Sequence, residues 1–342
     1  MIAIDGSIGY GQVLRTSIAL SSLTLKPVKI INIRKNRPNP GLQAQHLTGV
    51  KIAGEFTNAE IKGLNLHSTE VEFSPKSHSV KGREIDIGTA GSIGLLLQTL
   101  APLLVFAGKE VALEIKGGTA GLGAPTIQYM RHVTFPVLEK IGVPLPEMEV
   151  AKEGFYPKGQ GEVKVTFKPV EKLQGVKLTE RGGINSIEGV SIVGSLPEDI
   201  ARRQANSAKS VLIQNNFPDA KMEKKIADTA SPGTSVTLWA NCGNTIIGDD
   251  VIGERWKPAE KVGAEAARGL IDSLNADCAL DKHMADQIIP FLALAKGISA
   301  VKVEEITEHC RTNMAVTEQF LGVKFEVGED RIISVDGIDF NG

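Results

Sequence analysis

An alternating stretch in the middle of the chain reads Gly161-Glu162-Val163-Lys164-Val165-Thr166-Phe167-Lys168-Pro169. Its two valines and its phenylalanine fall on one face of a strand, and the charged residues fall on the other. A helical pattern at 126–141 and a second alternating segment at 148–150 precede it. Together they predict a helix followed by two paired strands, with the helix packed on the apolar face of the sheet.

The same order of elements occurs at two other places in the chain. The helical patterns lie at 43–57 and near 312–321, and the strand patterns that follow them lie at 59–62 and 70–75, and at 323–327 and 331–335. We interpret the three places as copies of one unit with two helices and about four strands. The fold class is therefore α/β (α+β), with the helices on one face of each sheet.

The segment 178–275 interrupts this repeat. Its strand patterns lie at 187–194, 221–226, 235–240 and 245–248, and its helical patterns lie at 198–214 and 258–274. We therefore predict a smaller α/β domain at 178–275, inserted into the third copy, and a large domain that contains 1–177 and 276–342. Basic residues between 202 and 225 could form an RNA-facing surface, and the alternative is a solvated charged face.

Composition limits the classes of function. A chain of 342 residues can form about two domains. The net charge of -2 and the pI near 6.3 give no overall basic character, so any contact with nucleic acid must be a local patch. Cys242, Cys278 and Cys310 are far apart in the sequence, which argues against a disulfide framework and against a cysteine zinc site. This usage is typical of a reducing compartment.

The longest apolar stretch, at 95–108, contains Gln98, Thr99 and Pro102 and is too short to cross a bilayer. The N-terminus begins with a strand pattern instead of the charged and apolar regions of a signal peptide. We expect a cytoplasmic protein that does not associate with membranes. Exposed strand edges would allow a homodimer.

A basic loop is the most informative stretch for function. It reads Arg34-Lys35-Asn36-Arg37-Pro38-Asn39-Pro40-Gly41-Leu42-Gln43-Ala44-Gln45-His46. Guanidinium groups match the geometry of phosphate oxygens, and the prolines and the glycine give the loop a fixed shape. The loop alone is equally consistent with a solvated basic surface.

Glycine-rich turns at 5–11, 88–92 and 117–125 each lead from a strand pattern into a helical pattern. Free backbone N–H groups at such helix N-termini can bind anions, although similar turns occur in any α/β protein. None of the three has the Gly-Lys-Ser/Thr of a P-loop or the dinucleotide-binding pattern.

A set of short strings runs in order along essentially the whole chain. They are Asp5-Gly6-Ser7 with Gln12-Val13-Leu14-Arg15, Ile33-Arg34, Pro40-Gly41-Leu42, Gln45-His46-Leu47, Ala90-Gly91-Ser92, Gln98-Thr99, Gly117-Gly118-Thr119, Gly154-Phe155-Tyr156-Pro157-Lys158-Gly159, Gly253-Glu254-Arg255, His283-Met284-Ala285-Asp286-Gln287 and His309-Cys310-Arg311-Thr312-Asn313. Together they resemble the RNA 3′-terminal phosphate cyclases. The resemblance implies three repeats like the C-terminal domain of translation initiation factor three, plus one inserted α/β domain.

The resemblance also implies a ligase-type nucleotidyl transferase that uses ATP as cosubstrate and an RNA with a 3′-phosphate end as its partner. In such enzymes a histidine takes up AMP and releases pyrophosphate, and the AMP then passes to the RNA phosphate. The 2′-hydroxyl next attacks this phosphate, expels AMP and closes a 2′,3′-cyclic phosphate. His309 matches the nucleophile. Viewed alone, a histidine at the start of a helix would more often be a packed or capping residue.

Further roles follow from the resemblance. Arg15, Arg34 and Arg37 match arginines near the nucleotide phosphates or the RNA end, and Gln45 and His46 match polar residues of the same cleft. The residues expected to bind ATP are Gln98, Pro125, His283, Met284, Ala285, Asp286 and Gln287. From the residues alone, Gln98 could simply satisfy a buried helix and Asp286 could cap one.

Two positions depart from the family's pattern. The turn at 5–12 is two residues shorter and lacks the glutamate that serves the metal and the nucleotide. Trp256 stands where a small glycine is usual. A divalent ion, Mg²⁺ or Mn²⁺, normally accompanies ATP, and the metal ligands of this chain are unknown. Either ATP phosphates and water hold the ion, or the chain is catalytically impaired. Our hypothesis is the former, because His309 and the arginines are present.

Two other functions agree with parts of the pattern. A non-catalytic relative that binds ribosomal RNA would have the same fold, but such relatives lack the nucleophilic histidine. An enolpyruvyl transferase is built from similar repeats and is also rich in arginine, but that class is longer and has six repeats.

Overall fold

The structure, a computed structural model, describes residues 1–341 and, at Tyr10, the backbone only. Four sheets of four strands, covered by helices, form the described part of the chain. The predicted α/β class is confirmed.

The first sheet lies within residues 2–74. Its elements are β1 (Ile2–Asp5), α1 (Tyr10–Thr24), β2 (Val28–Ile31), α2 (Ala44–Phe56), β3 (Glu60–Lys62) and β4 (Val71–Ser74). The strand order is β1-β2-β4-β3, and only β1 and β2 run parallel. Alternate residues of β2 and β4 are buried, because α1 packs on these strands.

The second sheet lies within residues 83–167. Its elements are β5 (Arg83–Asp86), α3 (Ile93–Val105), β6 (Val111–Gly117), α4 (Ile127–Tyr129), α5 (Phe135–Glu139), β7 (Glu147–Lys152) and β8 (Gly161–Phe167). A π-helical segment, Met130–Thr134, joins α4 and α5, so the helix predicted at 126–141 is one helical run with a wide central turn. The predicted strand at 161–169 is confirmed as β8, with its valines and Phe167 buried.

A short strand, β9 (Lys177–Leu178), precedes the third sheet along the chain. The elements of this sheet are β10 (Ile184–Gly194), α6 (Asp199–Gln214), β11 (Lys221–Ala227), β12 (Gly233–Cys242), β13 (Ile246–Ile252) and α7 (Ala259–Asn275). The strand order is β11-β10-β12-β13, and α6 and α7 pack together on the sheet around a separate apolar cluster.

The fourth sheet uses β9 again. The remaining elements are α8 (Met284–Gln287), α9 (Ile289–Leu294), β14 (Lys296–Lys302), α10 (Glu308–Leu321), β15 (Phe325–Val327) and β16 (Ile332–Ile338). The strand order β9-β14-β16-β15 repeats the order of the first two sheets, β1-β2-β4-β3 and β5-β6-β8-β7, and in each case only the first pair is parallel.

Helix α10 begins earlier than the predicted 312, because Thr307 caps it. The Thr307 hydroxyl accepts a hydrogen bond from the N–H of Cys310 at 3.1 Å. A hydroxyl that caps a helix satisfies one of its free N–H groups and fixes where the helix starts. As a result, His309 lies in the first turn of α10.

One large apolar core joins the first, second and fourth sheets, and α1 lies in it against α2, α3 and α10. Cys242, Cys278 and Cys310 are buried and form no disulfide. Within residues 1–341, none of the helices has the length and apolar character needed to cross a membrane.

The contact between α6 and α7 is close at Gly263, where an added Cβ would lie 2.1 Å from the carbonyl oxygen of Gln204. We expect Gly263→Ala to lower the free energy of unfolding by about 1 to 3 kcal/mol, because the helices must separate. Gly183→Ala is the matched control, since an added Cβ there meets nothing within 4 Å. Urea denaturation measures both variants, and equal stabilities would contradict the close packing.

Candidate active site

A cleft of about 720 Å³ lies where α1, α2, α3, α8 and α10 face β13 of the third sheet. The residues predicted for catalysis and binding that line it are Arg15, Arg34, Arg37, Gln45, His46, Gln98, Pro125, His283, Asp286, Gln287 and His309. Met284 and Ala285 do not line it, because both are completely buried in the core. They support α8, and their side chains are out of reach of a ligand in the cleft.

His309 is half-buried in the cleft wall, and its surroundings disfavour the charged form. The pKa of His309 is lowered first by burial and then by the positive charge of Arg15, with smaller contributions in the same direction from Arg37 and His283. Glu308 acts in the opposite direction. The N-terminal end of α10 also repels a cation. The ring is therefore neutral at pH 7, which is the form in which an imidazole nitrogen is nucleophilic.

Arg15 projects from α1 into the same cleft, and its guanidinium is buried. Burial lowers the pKa of Arg15 to about 10, although Asp286 opposes this shift. The guanidinium donates a hydrogen bond to the side chain of Gln12, and among the described residues its Nε has no hydrogen-bond partner. A buried donor without a partner is costly unless a ligand satisfies it. Arg15 is therefore suited to bind an anion.

Asp286 on α8 lies near Arg15. Burial raises the pKa of Asp286 to about 7, and the positive charges of Arg15 and His283 limit this rise. The carboxyl group therefore changes its protonation state near neutral pH.

Asn313 ties three helices together at this point. The Thr16 hydroxyl of α1 donates to the Asn313 side-chain oxygen at 2.7 Å, and the Asn313 amide donates to the backbone carbonyl of Asp286 at 2.9 Å. The helices that carry Arg15, Asp286 and His309 are thus held in fixed relation. The sequence analysis assigned no role to Asn313, although its spacing of four from His309 places both on one helix face.

The basic loop has the fixed shape that its sequence predicts. Arg34 adopts a left-handed backbone with φ of +54°, and its guanidinium donates to the carbonyl oxygens of Asn39 and Gly41 at 2.7 and 3.0 Å. Gly41 has φ of +74°, and an added Cβ would lie 2.2 Å from the carbonyl oxygen of His67. Burial and the neighbouring Arg37 both lower the pKa of Arg34. Because both guanidiniums line the cleft and each disfavours the other's charge, an anion bound beside them would relieve the repulsion.

His46 and Gln45 begin α2 beside this loop. The N–H of Gln43 donates to Nδ1 of His46 at 3.1 Å, so the proton of the neutral ring is on Nε2. Burial, followed by the charges of Arg15 and Arg34, lowers the pKa of His46 to about 3. His46 is therefore a neutral N–H donor. Gln45 instead connects helices, since its oxygen accepts from the N–H of Ser92 at 3.1 Å.

Gln98 on α3 has a buried side-chain oxygen with no hydrogen-bond partner in the described part of the chain. If Gln98 only completed hydrogen bonds within a buried helix, this oxygen would have a partner in the protein. A buried amide oxygen without one can instead accept a hydrogen bond from a ligand.

His283 lies on the opposite side of the cleft and carries a positive charge. Burial lowers its pKa, but the ion pair with Asp249 at 3.6 Å and the charges of Asp281 and Asp250 outweigh burial and raise the pKa to about 9. Its ring lies edge-on to Tyr129, with centroids 6.2 Å apart, and its side chain is about half exposed. One face of an imidazolium is therefore accessible from the cleft.

The sequence analysis missed the acidic groups around His283. Asp250 on β13 accepts from the N–H of Thr126 at 2.6 Å, and burial raises the pKa of Asp250 to about 6. Asp281 accepts from the hydroxyl of Tyr129 at 2.6 Å. Aspartate is uncommon within strands, so the adjacent pair Asp249-Asp250 was a signal that could have identified this side of the cleft.

These carboxylates do not form a metal site. Nowhere in residues 1–341 do three or more His, Cys, Asp or Glu side chains cluster in a way that could hold an ion. Asp250 and Asp281 are bound instead to N–H and O–H donors of the protein. The side chains of the cleft therefore do not fit a metal site built by the protein alone.

Known proteins resemble this chain along nearly its whole length. The family model described as RNA 3′-terminal phosphate cyclase matches residues 7–327. A protein of Pyrobaculum aerophilum that is named RNA 3′-terminal phosphate cyclase is 45% identical in an alignment 348 positions long, which covers 99% of each chain. The chain belongs to the RNA 3′-terminal phosphate cyclase family. The resemblance seen in the sequence is thereby confirmed, and the chain is an enzyme of this class.

Other members of the cyclase family are similarly close. Proteins with the same name from Pyrococcus abyssi and Methanosarcina barkeri are 42% and 44% identical, and each alignment covers 96% of this chain and at least 95% of the relative. Among solved structures, an EPSP synthase from Acinetobacter baumannii aligns with a TM-score of 0.40 and 13% identity, over 99% of this chain and 48% of that one. A score this low does not establish a shared fold.

Proposed function

We propose that this member of the cyclase family converts the 3′-terminal phosphate of RNA into a 2′,3′-cyclic phosphodiester with ATP. A ring nitrogen of His309 attacks the α-phosphorus, pyrophosphate leaves, and AMP stays on the ring. The RNA 3′-phosphate then takes AMP from His309. Finally the 2′-hydroxyl attacks that phosphate, loses its proton and expels AMP. The main support is that a neutral His309 shares one cleft with Arg15, Arg34 and Arg37.

The arrangement suits each step. A phosphate monoester dianion has no good leaving group, so AMP must be attached before the ring can close. Fixed cations around a phosphoryl group stabilise the charge that develops during transfer. We assign this task to Arg15, Arg34 and Arg37, with the N–H of His46 as a further donor and Gln45 as a residue that positions α2.

The nucleoside of ATP is assigned to the side of the cleft that contains α8. His283 can stack on the adenine alongside Pro125, while Gln98, Asp286 and Gln287 supply polar contacts. Met284 and Ala285 hold α8 in place from the core. We propose that a divalent ion, Mg²⁺ or Mn²⁺, enters with the ATP phosphates and water.

The architecture also has a proposed interpretation. The three sheets with the same strand order would be repeats like the C-terminal domain of translation initiation factor three. Residues 178–275 would be a domain inserted between β9 and α8, with 1–177 and 276–342 as the large domain. A cytoplasmic location and a homodimer stay predictions.

The function is tested with a single-stranded RNA that ends in a 3′-phosphate. We expect ATP-dependent formation of a 2′,3′-cyclic end, with one AMP and one pyrophosphate released for each end, and no reaction of a 3′-hydroxyl RNA. RNA that binds tightly without any product would instead support the non-catalytic RNA-binding alternative.

The adenylation step should persist at low pH. The pKa of His309 is lowered, so the ring stays neutral, and therefore nucleophilic, to pH values below the ordinary imidazole pKa of about 6.5. We expect the rate of protein labelling by ATP labelled in the α-phosphate to reach half its maximum below pH ~6.5. Single-turnover labelling between pH 4.5 and 8 measures the midpoint, and a midpoint above the free-imidazole value would contradict the assignment.

A further inference from the structure

The turn that follows β13 carries an exposed tryptophan at the edge of the cleft. Trp256 is 87% exposed, whereas Glu254 and Lys257, on either side of it in the sequence, line the cleft. A single exposed ring is ordinary on a protein surface, so its place between two residues that line the cleft is what makes it informative. The position of the ring therefore points to a ligand that extends out of the cleft.

The turn itself is firmly held. The N–H of Gly253 donates to the carbonyl of Thr234 at 2.8 Å, and the N–H of Lys257 donates to the carbonyl of Glu254 at 3.0 Å. The largely buried ammonium of Lys257 also forms an ion pair with Glu265 on α7. The turn thus presents its exposed side chains from a fixed backbone.

The backbone at Trp256 would suit a glycine. Its φ is +70°, in the left-handed region that is unfavourable for a bulky residue. The ring gains no burial in return, since it is almost fully exposed. A large side chain that is both strained and exposed indicates a role outside the folding of the chain.

Arg255 covers one face of this ring, with its Cζ 5.0 Å from the ring centroid. The high exposure of Trp256 leaves the other face open to solvent. An aromatic face combined with a guanidinium is the arrangement with which proteins stack unpaired bases and attract their phosphates.

We propose that Arg255 and Trp256 form a stacking platform for a base of the RNA substrate close to its 3′-terminal phosphate. This inference rests on the proposed function, because the terminal phosphate would lie among the arginines of the same cleft. An RNA strand leaving those arginines must pass the cleft edge, whereas the adenine of ATP has its own place beside His283. Every base has a stacking face, so the platform adds affinity without selecting a sequence.

The test measures binding of a 5′-fluorescein single-stranded oligoribonucleotide with a 3′-phosphate by fluorescence anisotropy. Trp256→Ala and Trp256→Leu should raise Kd by about 5- to 100-fold, and Trp256→Phe should recover most of the affinity. Trp256→Gly should show the same loss of RNA affinity. Since glycine suits the left-handed backbone at this position, such a loss would come from the missing ring and not from misfolding. The KM for RNA should rise in parallel, while the KM for ATP and protein labelling without RNA should not change.

A spectroscopic signature accompanies the binding. The chain has two tryptophans, and the other one, Trp239, is buried and stacked on His132 at 4.0 Å. Quenching of tryptophan emission on addition of RNA should therefore come from Trp256 and should be absent in Trp256→Leu. RNA with an abasic site at the stacked position should bind the wild type and Trp256→Ala equally.

The outcomes separate the two proposals. If the wild type cyclises RNA but Trp256→Ala binds RNA within about twofold of the wild type, the platform is wrong and the function stands. If Trp256→Leu binds like the wild type, the contact is not stacking, and the platform is again wrong. A change of oligomeric state with unchanged RNA affinity would assign the ring to a second copy of the chain. RNA binding that depends on Trp256 without any cyclisation would support the platform and overturn the function.

Discussion

Substitution of His309 by alanine should abolish adenylation of the protein. With ATP labelled in the α-phosphate, the wild type should form an acid-labile, alkali-stable adduct, as expected of a phosphoramidate, and His309→Ala should form none. Cyclisation should fall by at least about 10³-fold, because the other two histidines of the described cleft are less suited to attack: Nδ1 of His46 accepts from Gln43, and His283 is protonated. Labelled protein after denaturation and the yield of cyclic ends measure the two effects.

The control is a histidine away from the cleft. His78 is exposed, does not line the cleft and contacts the carbonyl oxygen of Ser22 at 3.0 Å, so His78→Gln should leave labelling and cyclisation unchanged. His309→Asn adds a second check, because it keeps a polar side chain in the first turn of α10. An adduct that survives in both variants of His309 would place the nucleophile elsewhere.

Substitution of Arg15 by methionine should have the second-largest effect. The buried guanidinium is a cation in the wall next to His309, and the loss of one such donor costs about 10²- to 10³-fold in rate. Arg15→Lys should recover part of the rate, because it keeps the charge but loses the fork of donors. Single-turnover labelling and cyclisation measure the loss. Arg83→Gln, which removes an exposed ion pair with Glu55, is the matched control.

The same variant has a pH-dependent effect on stability. The folded-state pKa of Asp286 is about 7, above its ordinary value, so the folded state binds more protons than the unfolded state, and stability falls as the pH rises towards 7. Without the positive charge of Arg15 the pKa of Asp286 rises further, so the free energy of unfolding continues to fall to higher pH. We expect the free-energy difference from the wild type to be larger at pH 8 than at pH 6 in urea denaturation. A difference that is equal at both values would contradict the coupling.

Much of the fold could be predicted because its signals are local. The alternation at 161–169 is sufficient to identify β8, since each apolar side chain falls on the face that packs against the helices. The start of α10 was predicted four residues too late. The helix begins where the Thr307 hydroxyl caps it, and the spacing of apolar residues does not show a cap. The wide turn at Met130–Thr134 is set by hydrogen-bond spacing, which a pattern of apolar residues does not show.

The residues of the cleft were easier to predict from the sequence than their charges and partners. Arginines in a rigid loop and a histidine within a short family motif can each be recognised from a local stretch of sequence. The charge of His283 depends on Asp249, Asp250 and Asp281, and β13 brings the first two of these to α8 from elsewhere in the chain. The link from Thr16 through Asn313 to Asp286 joins residues almost three hundred positions apart. Such couplings arise only from tertiary packing.

The bridge made by Asn313 also determines which parts of the cleft can move. Because it fastens α1, α8 and α10 to one another, the floor that holds Arg15, Asp286 and His309 behaves as a single rigid block. The wall that contains β13 is tied to the same block, because the N–H of Gly248 donates to Asp281 at 3.1 Å and Asp249 contacts His283 at 3.6 Å. In the proposed function, ATP would therefore meet reacting groups that are already in position when it binds.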